Sequence, residues 1–389
     1  MIHQKLKISM IEPIGGHGGM EFYDFGLCES ISLQGHEVVL YTSDKTKLDG
    51  LVNVQFAVTK VYRGIYGLQI RLIRGLRYLR GTFAALLNSR LRKASVAHFH
   101  ICFFSLQVLV EVLMFRMLGM KIVATVHDVE TLDQLRQTKK LGLVTHLLSI
   151  NIDRFIVHSR FTQDTLMQTM PRAISKISLV THCDMDFVYH FSGNKQEARG
   201  SIGLELPKNA KVILFFGQIK ETKGLDLLLK AFSELKNTQS TYLLIAGRAW
   251  RTELDGYVKQ INEFGIADRV IFRSEYILNE NVPAYFASSE LIVLPYRKIY
   301  NSGVVLRAMH YGTPVICSNL PSFTEVVSDK ETGLLFKADD VQSLIECIEY
   351  ALQHPKELEQ MSRNAKAVIA EKYSFDVVGS EMSAVYESL

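Results

Sequence analysis

Paired cysteines and a signal peptide are both missing from this sequence of 389 residues. Its five cysteines are scattered, and no two of them have the CxxC spacing of redox and zinc motifs. An odd number of cysteines without a spacing pattern does not suit a disulfide framework, so we expect reduced thiols. The first residues lead almost directly into a strand pattern and do not have the layout of a signal peptide. These absences predict a cytoplasmic protein.

Long apolar segments are missing too. The most apolar candidate for a membrane span, 101–118, contains Gln107, Glu111 and Arg116, which favours a helix in a protein core. Hydrophobic residues make up 48% of the chain and charged residues 22%, as in ordinary globular proteins, which excludes disorder and a coiled coil as the main organisation. The length favours two domains over one.

Short apolar, β-branched segments alternate with longer helical patterns, which predicts βαβ units around parallel sheets. The predicted strands of the first half are 7–12, 37–42, 96–100, 121–127, 154–159 and 176–182. Those of the second half are 211–217, 241–247, 269–273, 291–296 and 313–318. The polar, glycine-containing stretch 184–209 separates the halves and is predicted to contain the hinge. We therefore expect an α/β chain of two doubly wound Rossmann-like domains facing a central cleft, with ligands at the carboxyl ends of the sheets.

One candidate anion site follows the first strand of the second half, in FFGQIKETKGLDLLLKAF. Gly217 would let the chain turn out of the strand, and Gly224 would begin a helix whose first amide groups are free to face an anion. Lys223 adds a positive charge beside that helix end. A phosphate is the expected ligand, although a solvated lysine in a first helical turn would give the same local pattern.

A second candidate of the same kind is YNSGVVLRAMHYGTPVICS. Asn301 and Ser302 can cap a helix that starts near Gly303, and Gly303 allows close approach of the backbone to a ligand. An ordinary N-cap is the alternative explanation. Two anion-binding helix ends in one domain suit a diphosphate.

A third glycine loop, PIGGHGGMEF, follows the first strand. It departs from the dinucleotide fingerprint GxGxxG because Glu21 occupies the third glycine position after Gly16 and Gly18. Asp44, after the second strand, could still bind a ribose, which keeps a nicotinamide enzyme as an alternative. His17 could touch a phosphate or an acceptor hydroxyl, or could simply be an exposed loop residue.

These motifs stand in the same order as in a known family. The succession PIGGHGG, GHEVVLYTS, VAHFH, TVHD, FFGQIKETKGLDLLLKAF, LLIAGRA, LPY, NSGVVLRAMHYGTPVI and TEVVSDKETGLLF resembles the family-four glycosyltransferases of the GT-B fold over nearly the whole chain. The resemblance implies an acceptor-binding domain over 1–190 and a domain over 191–372 that binds the nucleotide-sugar donor. It also implies a helix over 373–389 that returns to the N-terminal domain.

The resemblance further implies retention of anomeric configuration, no cofactor and no required metal. Without a metal, cationic side chains and helix ends would have to neutralise the diphosphate. Lys223 matches the family's phosphate lysine, Gly16 its loop glycine and His127 a histidine that contacts the donor sugar; His127 and Lys223 are the predicted catalytic residues. A hydrogen bond from His127 to Asp128 is the structural alternative. The predicted donor-binding residues are Gly16, Gly217, Gln218, Lys223, Gly224, Asn301, Ser302, Gly303, Val304, Arg307 and Glu325, with His17 and Gly18 on the acceptor side.

Two departures from the family pattern concern charge. Gln218 stands where the family usually has arginine, and Ile299 and Arg307 replace a pair of glutamates, as in a subgroup with SGV in this segment. Arg307 cannot accept hydrogen bonds from ribose, but it could bind a phosphate oxygen; a surface arginine pointing away is the alternative. Glu325 remains as an acid near the site, or as a carboxylate at a helix start.

The segment 60–93 contains nine lysines and arginines and no acidic residue. At helical spacing Leu72, Leu76, Leu79, Phe83 and Leu86 share one face and arginines occupy the other, which predicts binding to an anionic membrane. The alternative is a helix whose apolar face packs on its domain. The protein would then be peripheral on the inner face of the cytoplasmic membrane.

The sequence thus predicts a metal-independent glycosyltransferase. It would move a sugar from a UDP- or GDP-sugar to a carbohydrate or lipid-linked acceptor in surface polysaccharide or glycolipid biosynthesis, with no nucleic-acid partner. A noncatalytic glycosyltransferase-like subunit and a sugar-nucleotide epimerase on a similar fold are the alternatives.

Overall fold

The computed structural model describes residues 5–16, 20–49, 51, 53–67, 70–127, 139–183, 188–236, 239–250 and 252–389. The chain forms two compact units: Met1–Asp184 with Lys372–Leu389, and Met185–Glu371. The sequence-based boundaries, after residues 190 and 372, differ from these divisions by only a few residues.

A parallel sheet forms the centre of the first unit. Its strands lie in the order β3-β2-β1-β4-β5-β6-β7, so the strand order reverses between β1 and β4. The strands are β1 (Lys7–Glu12), β2 (Glu37–Ser43), β3 (Ala57–Tyr62), β4 (Val96–Ile101), β5 (Lys121–Val126), β6 (Arg154–Val157) and β7 (Ile177–Leu179). Helices cover the sheet, so β1, β4 and β5 are almost entirely buried, as their apolar runs predict.

The second unit contains a parallel sheet in the order β10-β9-β8-β11-β12-β13, which reverses between β8 and β11. Its strands are β8 (Lys211–Phe216), β9 (Thr241–Ala246), β10 (Val270–Arg273), β11 (Leu291–Leu294), β12 (Val315–Ser318) and β13 (Leu334–Phe336). The predicted class, α/β with two doubly wound parallel sheets, is confirmed. Sequence patterns missed β3 and β13.

The helices of the described residues alternate with the strands. They are α1 (Met20–Leu33), α2 (Arg71–Leu91), α3 (Leu106–Met117), α4 (Lys139–Asn151), α5 (Arg160–Thr169), α6 (Lys195–Ser201), α7 (Leu225–Glu234), α8 (Asp255–Glu263), α9 (Val282–Ala287), α10 (Gly303–Tyr311), α11 (Pro321–Thr324), α12 (Val341–Gln353), α13 (Pro355–Lys372) and α14 (Phe375–Glu387). Helix α6 lies inside the stretch 184–209, so this stretch is not a linker throughout. Within the described part of the chain, no helix combines the length and apolar character needed to cross a bilayer.

The last helix, α14, packs on α1 in the first unit. A Cβ atom on Gly379 would lie 2.3 Å from the carbonyl oxygen of Ser30, so glycine allows the two helices to approach closely. Buried hydrogen bonds join Ser383 to His36 over 2.9 Å and Tyr386 to His98 over 2.7 Å. These contacts make α14 part of the core of the first unit.

Helix α3 differs from the core helix that the sequence predicts. Leu109, Val112 and Phe115 are buried, but Leu106 is 65% exposed and Met117 is 78% exposed. The helix lies on the surface because only one of its apolar faces packs on the sheet.

Candidate active site

The turn from β8 into α7 lies at the carboxyl edge of the second sheet. Gly217 has φ +109° and Gly224 has φ +65°, so both need the conformational freedom of glycine. A Cβ atom on Gly224 would lie 1.9 Å from the carbonyl oxygen of Pro295. The amide of Gly224 donates to the carbonyl of Glu221 over 3.1 Å. The amide of Gly224 itself is thus bonded within the chain, which makes a short 3₁₀ turn, Glu221–Lys223, before α7 starts one residue later than predicted, at Leu225.

Lys223 lies at the end of that turn. Its Nζ atom is 3.6 Å from the centre of the Tyr296 ring, a cation–π contact. Tyr296 follows β11, so the ring joins the loop after β8 to the loop after β11. Burial raises the pKa of the Tyr296 phenol, an effect that the nearby Ser302 hydroxyl opposes. Lys223 and the start of α10 are thus brought to the same edge.

The start of α10 has two polar atoms without partners. Ser302 occupies the N-cap position but makes no side-chain capping hydrogen bond, so the predicted cap is wrong. Its Oγ atom, although near the Tyr296 phenol, and the Nδ2 atom of Asn301 are buried and make no hydrogen bond of ordinary geometry to any described residue. The first amide groups of a helix also have no partner inside the helix. This helix end therefore presents several donors that a bound anion would satisfy.

Arg297, which sequence reasoning missed, holds the two loops together. Its backbone amide donates to the carbonyl of Thr222 over 2.9 Å, and its guanidinium makes two bonds of 2.6 and 2.7 Å to Asp226. A third bond of 2.8 Å reaches Asp339. Although burial opposes a charge on Asp226, Arg297 lowers the pKa of that carboxyl. The arginine directly after the LPY motif was the available sequence signal.

The remaining residues predicted for the donor site lie near this edge or on α10. Gln218 follows Gly217 and is half-buried, and Val304 Cγ2 would be 3.5 Å from a Cβ on Gly217. Arg307 is only 7% exposed, so the surface arginine considered as its alternative is wrong. Glu325 is exposed and caps the end of α11, so a stabilising role at a helix start is also wrong.

In the first unit, the turn after β1 packs tightly. A Cβ on Gly16 would lie 2.5 Å from the carbonyl oxygen of Lys45 and 2.6 Å from Oε1 of Glu21. Asp44, considered for a ribose, accepts a hydrogen bond of 2.9 Å from the amide of Gly64. The predicted acceptor residues His17 and Gly18 lie outside the described residues.

His127 follows β5 and lies among aromatic rings. The centre of its ring is 4.6 Å from that of Tyr23, at 89°, and 5.2 Å from that of His100. Burial and the nearby His100 lower its pKa well below the ordinary value, so the imidazole is neutral. Among the described residues, its Nε2 atom has no hydrogen-bond partner. Asp128, its predicted alternative partner, lies outside the described residues.

One group in the described part of the chain could hold a metal ion: Glu12, Asp24 and His100. It lies where the first sheet reverses, between β1, α1 and β4. Sequence reasoning missed it because its members come from three separate elements and have no short spacing.

The chain is similar to known glycosyltransferases. The model of glycosyl transferases group 1 matches residues 199–368, and that of Glycosyltransferase Family 4 matches residues 17–182. The lipopolysaccharide core biosynthesis mannosyltransferase LpsB of Rhizobium meliloti is 29% identical over 202 residues, which cover 50% of this chain and 56% of that protein. A D-inositol 3-phosphate glycosyltransferase of Gordonia bronchialis is 29% identical over 247 residues, 60% of this chain and 52% of that protein. The chain spans about half the length of these curated relatives.

Solved structures share the fold over the whole chain. HepE of Anabaena, in complex with UDP-glucose, has a TM-score of 0.78 at 16% identity and covers 99% of this chain and 100% of its own. A sucrose-phosphate synthase of Thermosynechococcus elongatus has a TM-score of 0.74 at 18% identity and covers 99% of both chains. With two family models matching consecutively and with Rossmann-like units of seven and six parallel strands, the chain belongs to the family-four glycosyltransferases and has the GT-B fold.

Proposed function

We propose that this protein transfers a sugar from a nucleotide-diphosphate sugar to a carbohydrate or lipid-linked acceptor, with retention of configuration. The observation that carries the proposal is the carboxyl edge of the second sheet. There Lys223 is 3.6 Å from the Tyr296 ring, and the buried donors of Asn301 and Ser302 have no partner within the described part of the chain. A diphosphate would supply acceptors for these donors, and its negative charge would be attracted to the lysine.

The proposed role of this edge in catalysis is to stabilise the leaving diphosphate. Preorganised donors and positive charges stabilise developing negative charge without reorganising. Lys223 supplies one charge, and the amide groups at the start of α10 supply a partial one. Arg307 is proposed to supply the charge that Gln218 lacks. No metal is then required for this step, and turnover should be equal with added Mg²⁺ and with a chelator added at the start of the assay.

Support for the donor and pathway comes from the relatives. HepE was solved with UDP-glucose, and LpsB is named for lipopolysaccharide core biosynthesis. We therefore propose a UDP- or GDP-sugar donor and a role in surface polysaccharide or glycolipid assembly. The neutral imidazole of His127, with its unpaired Nε2, is proposed to contact the donor sugar. The acceptor hydroxyl would attack on the face that the diphosphate leaves, with a phosphate oxygen taking its proton.

Lys223→Ala tests the proposal. Loss of one charged contact to a developing anion costs about 3 kcal/mol, so turnover should fall about a hundredfold. Lys230→Ala is the matched control, because Lys230 is exposed and paired with Glu234 over 2.6 Å, an ion pair worth little. Donor binding can be followed through Trp250, the one tryptophan, which is 49% exposed. Its ring centre is 6.0 Å from Lys220 Nζ.

The outcomes separate the alternatives. A folded Lys223→Ala variant with turnover within a few-fold of the parent would overturn the phosphate assignment. Donor binding by the parent without any product would support a noncatalytic subunit. Conversion of the donor without acceptor would support an epimerase.

We also propose that α2 binds an anionic membrane surface. Most apolar side chains of its predicted lipid-facing side are exposed: Leu72 is 73% exposed, Leu76 59% and Phe83 60%. The helix instead packs through the small buried residues Thr82 and Ala85. This overturns the alternative in which the apolar face is covered by its own domain.

Charge favours an anionic lipid surface as the occupant. Arg74, Arg77 and Arg80 are exposed on α2, and each basic residue near such a surface contributes about 1 kcal/mol. Flotation with anionic vesicles should recover the protein, and neutral vesicles should recover less. Leu72→Ser with Leu76→Ser should abolish recovery, whereas Leu278→Ser, at a 40% exposed leucine of the second unit, should not. Equal, negligible recovery with both vesicle types would end the membrane claim.

A further inference from the structure

A buried cluster at the switch point of the first sheet has no role in donor binding. It consists of Glu12 at the end of β1, Asp24 on α1 and His100 on β4. His100 Nδ1 is 2.9 Å from Asp24 Oδ1 and 3.3 Å from Glu12 Oε2. The side chains of Glu12 and His100 are completely buried, and that of Asp24 is 1% exposed. Three polar groups from three elements thus meet in the interior.

Most polar atoms of this cluster make no hydrogen bond of ordinary geometry. The exception is Glu12 Oε1, which accepts from the amide of Ile14 over 2.6 Å. Within the described part of the chain, the other carboxylate oxygen of Glu12, both oxygens of Asp24 and both ring nitrogens of His100 have no such bond. Buried polar atoms in folded proteins nearly always have a partner, so this concentration of unpaired atoms indicates a missing ligand.

The close contacts are arranged as ligands of one ion would be. Two atoms bound to one ion at about 2.0–2.2 Å, with an angle of about 90–110° at the ion, lie about 2.8–3.6 Å from each other and off the axis of the ring nitrogen. The distances of 2.9 and 3.3 Å from His100 Nδ1 match this, and all three ligand atoms lie within 4.8 Å of one another. A contact that is short but misaligned for hydrogen bonding follows from such geometry.

The charges of the cluster are unbalanced without a cation. Among the described residues, His100 is the ion-pair partner of both carboxylates, and no lysine or arginine joins them. Two carboxylates thus face one imidazole in the interior, and a divalent cation would balance their charge.

We propose that Glu12, Asp24 and His100 bind one divalent first-row transition ion, Zn²⁺ or Mn²⁺. One imidazole nitrogen and two carboxylate oxygens form a ligand set that suits these ions, and two carboxylates balance the charge of the ion. The ion joins β1, α1 and β4, so its role is to stabilise the first unit. It is separate from the phosphate-binding edge, which belongs to the second unit, and does not depend on the proposed transferase function.

Metal content tests the site directly. Because the ligands are buried, the full chain should be unfolded and refolded with a chelator, desalted, and titrated with Zn²⁺ or Mn²⁺ in a calorimeter. We expect one equivalent bound and a raised melting temperature. Absence of binding and of any melting shift in the refolded parent would overturn the proposal.

Variants separate this site from surface binding. Asp24→Asn and His100→Gln should lose the equivalent and the metal-dependent melting shift. The matched control is Glu111→Gln, a carboxyl of the same unit that is 2% exposed but accepts hydrogen bonds from Tyr78 and Thr82. Glu111→Gln should keep both the bound equivalent of metal and the metal-dependent melting shift. Binding that persists in Asp24→Asn and His100→Gln would overturn the site, and if these variants do not fold, the titration of the refolded parent decides.

Discussion

The two sheets of this protein end in edges of opposite chemical character. The second unit places Lys223 at the same edge as donors of Asn301 and Ser302 that have no hydrogen-bond partner among the described residues, so it presents positive charge and hydrogen-bond donors. The first unit surrounds the Tyr23 ring with imidazoles and has a buried pair of carboxylates. The same architecture therefore offers one edge that suits a polyanion and one edge built from buried aromatic rings and imidazoles, of which His98, His127 and His158 are neutral.

Burial produces this difference. In the first unit, burial and the charge of His100 lower the pKa values of His98 and His127 well below the ordinary value. The pKa of His158 is lowered to about 4, chiefly by burial. In the second unit, Arg297 stays charged because it is only partly buried and makes direct bonds to carboxylates. Charge is kept where it is hydrated or paired, and it is lost where it is neither.

The largest expected effect comes from breaking the second edge at Gly224. Gly224→Ala forces a Cβ to within 1.9 Å of the Pro295 carbonyl at φ +65°, so we expect a loss of stability of about 4 kcal/mol or more. Gly265→Ala is the control, because Gly265 has φ +64° but a Cβ added there would have no atom within 4 Å. Only the left-handed backbone conformation then lowers the stability of the variant, by about 1–2 kcal/mol. Urea unfolding measures both, and equal losses would contradict the packing argument.

An intermediate effect concerns the edge of the first unit and pH. In the unfolded chain His158 becomes protonated below about pH 6.5, whereas in the folded protein it stays neutral down to about pH 4. The free energy of unfolding therefore decreases as the pH falls from about 6.5 to about 4, by up to about 3 kcal/mol for His158. His158→Gln should flatten the pH dependence of the calorimetric melting temperature there. A slope identical to that of the parent would show that the ring is not held neutral.

The smallest expected effect distinguishes a side chain that donates a hydrogen bond to the nucleotide from a side chain that caps a helix. Ser302→Ala removes a buried unpaired hydroxyl, so stability should stay unchanged or rise, while UDP binding weakens about three- to tenfold. Ser105→Ala is the matched control, since Ser105 caps α3 by accepting from the amide of Val108 over 3.3 Å, and it should cost about 1 kcal/mol. Trp250 fluorescence follows the nucleotide. A loss of stability in Ser302→Ala like that of the control would make Ser302 an ordinary cap.

Sequence patterns predicted the fold well because most strands are continuous apolar runs. β3 was missed because most of its residues are only partly buried, which weakens the apolar pattern, and β13 because three residues are too few for a period. The burial of helix α3 was predicted wrongly because composition does not distinguish a leucine on a surface helix from a leucine in a core.

The candidate site was predictable in part for a different reason. Glycines with a positive φ, such as Gly217 and Gly224, mark their turns in the sequence. Which donors remain unpaired depends on side-chain directions that no spacing encodes, so the capping role expected of Ser302 was wrong. Glu12, Asp24 and His100 meet only through tertiary packing, which local patterns do not report.

The return of α14 to the first unit has a consequence for synthesis. His36 and His98 form buried hydrogen bonds with side chains of α14, and α14 packs directly on α1 at Gly379. On the ribosome, the second unit can therefore fold before the first is complete. The unit whose synthesis starts first is therefore completed last, and until α14 is made, the surface of α1 that it covers is open to chaperones and to aggregation.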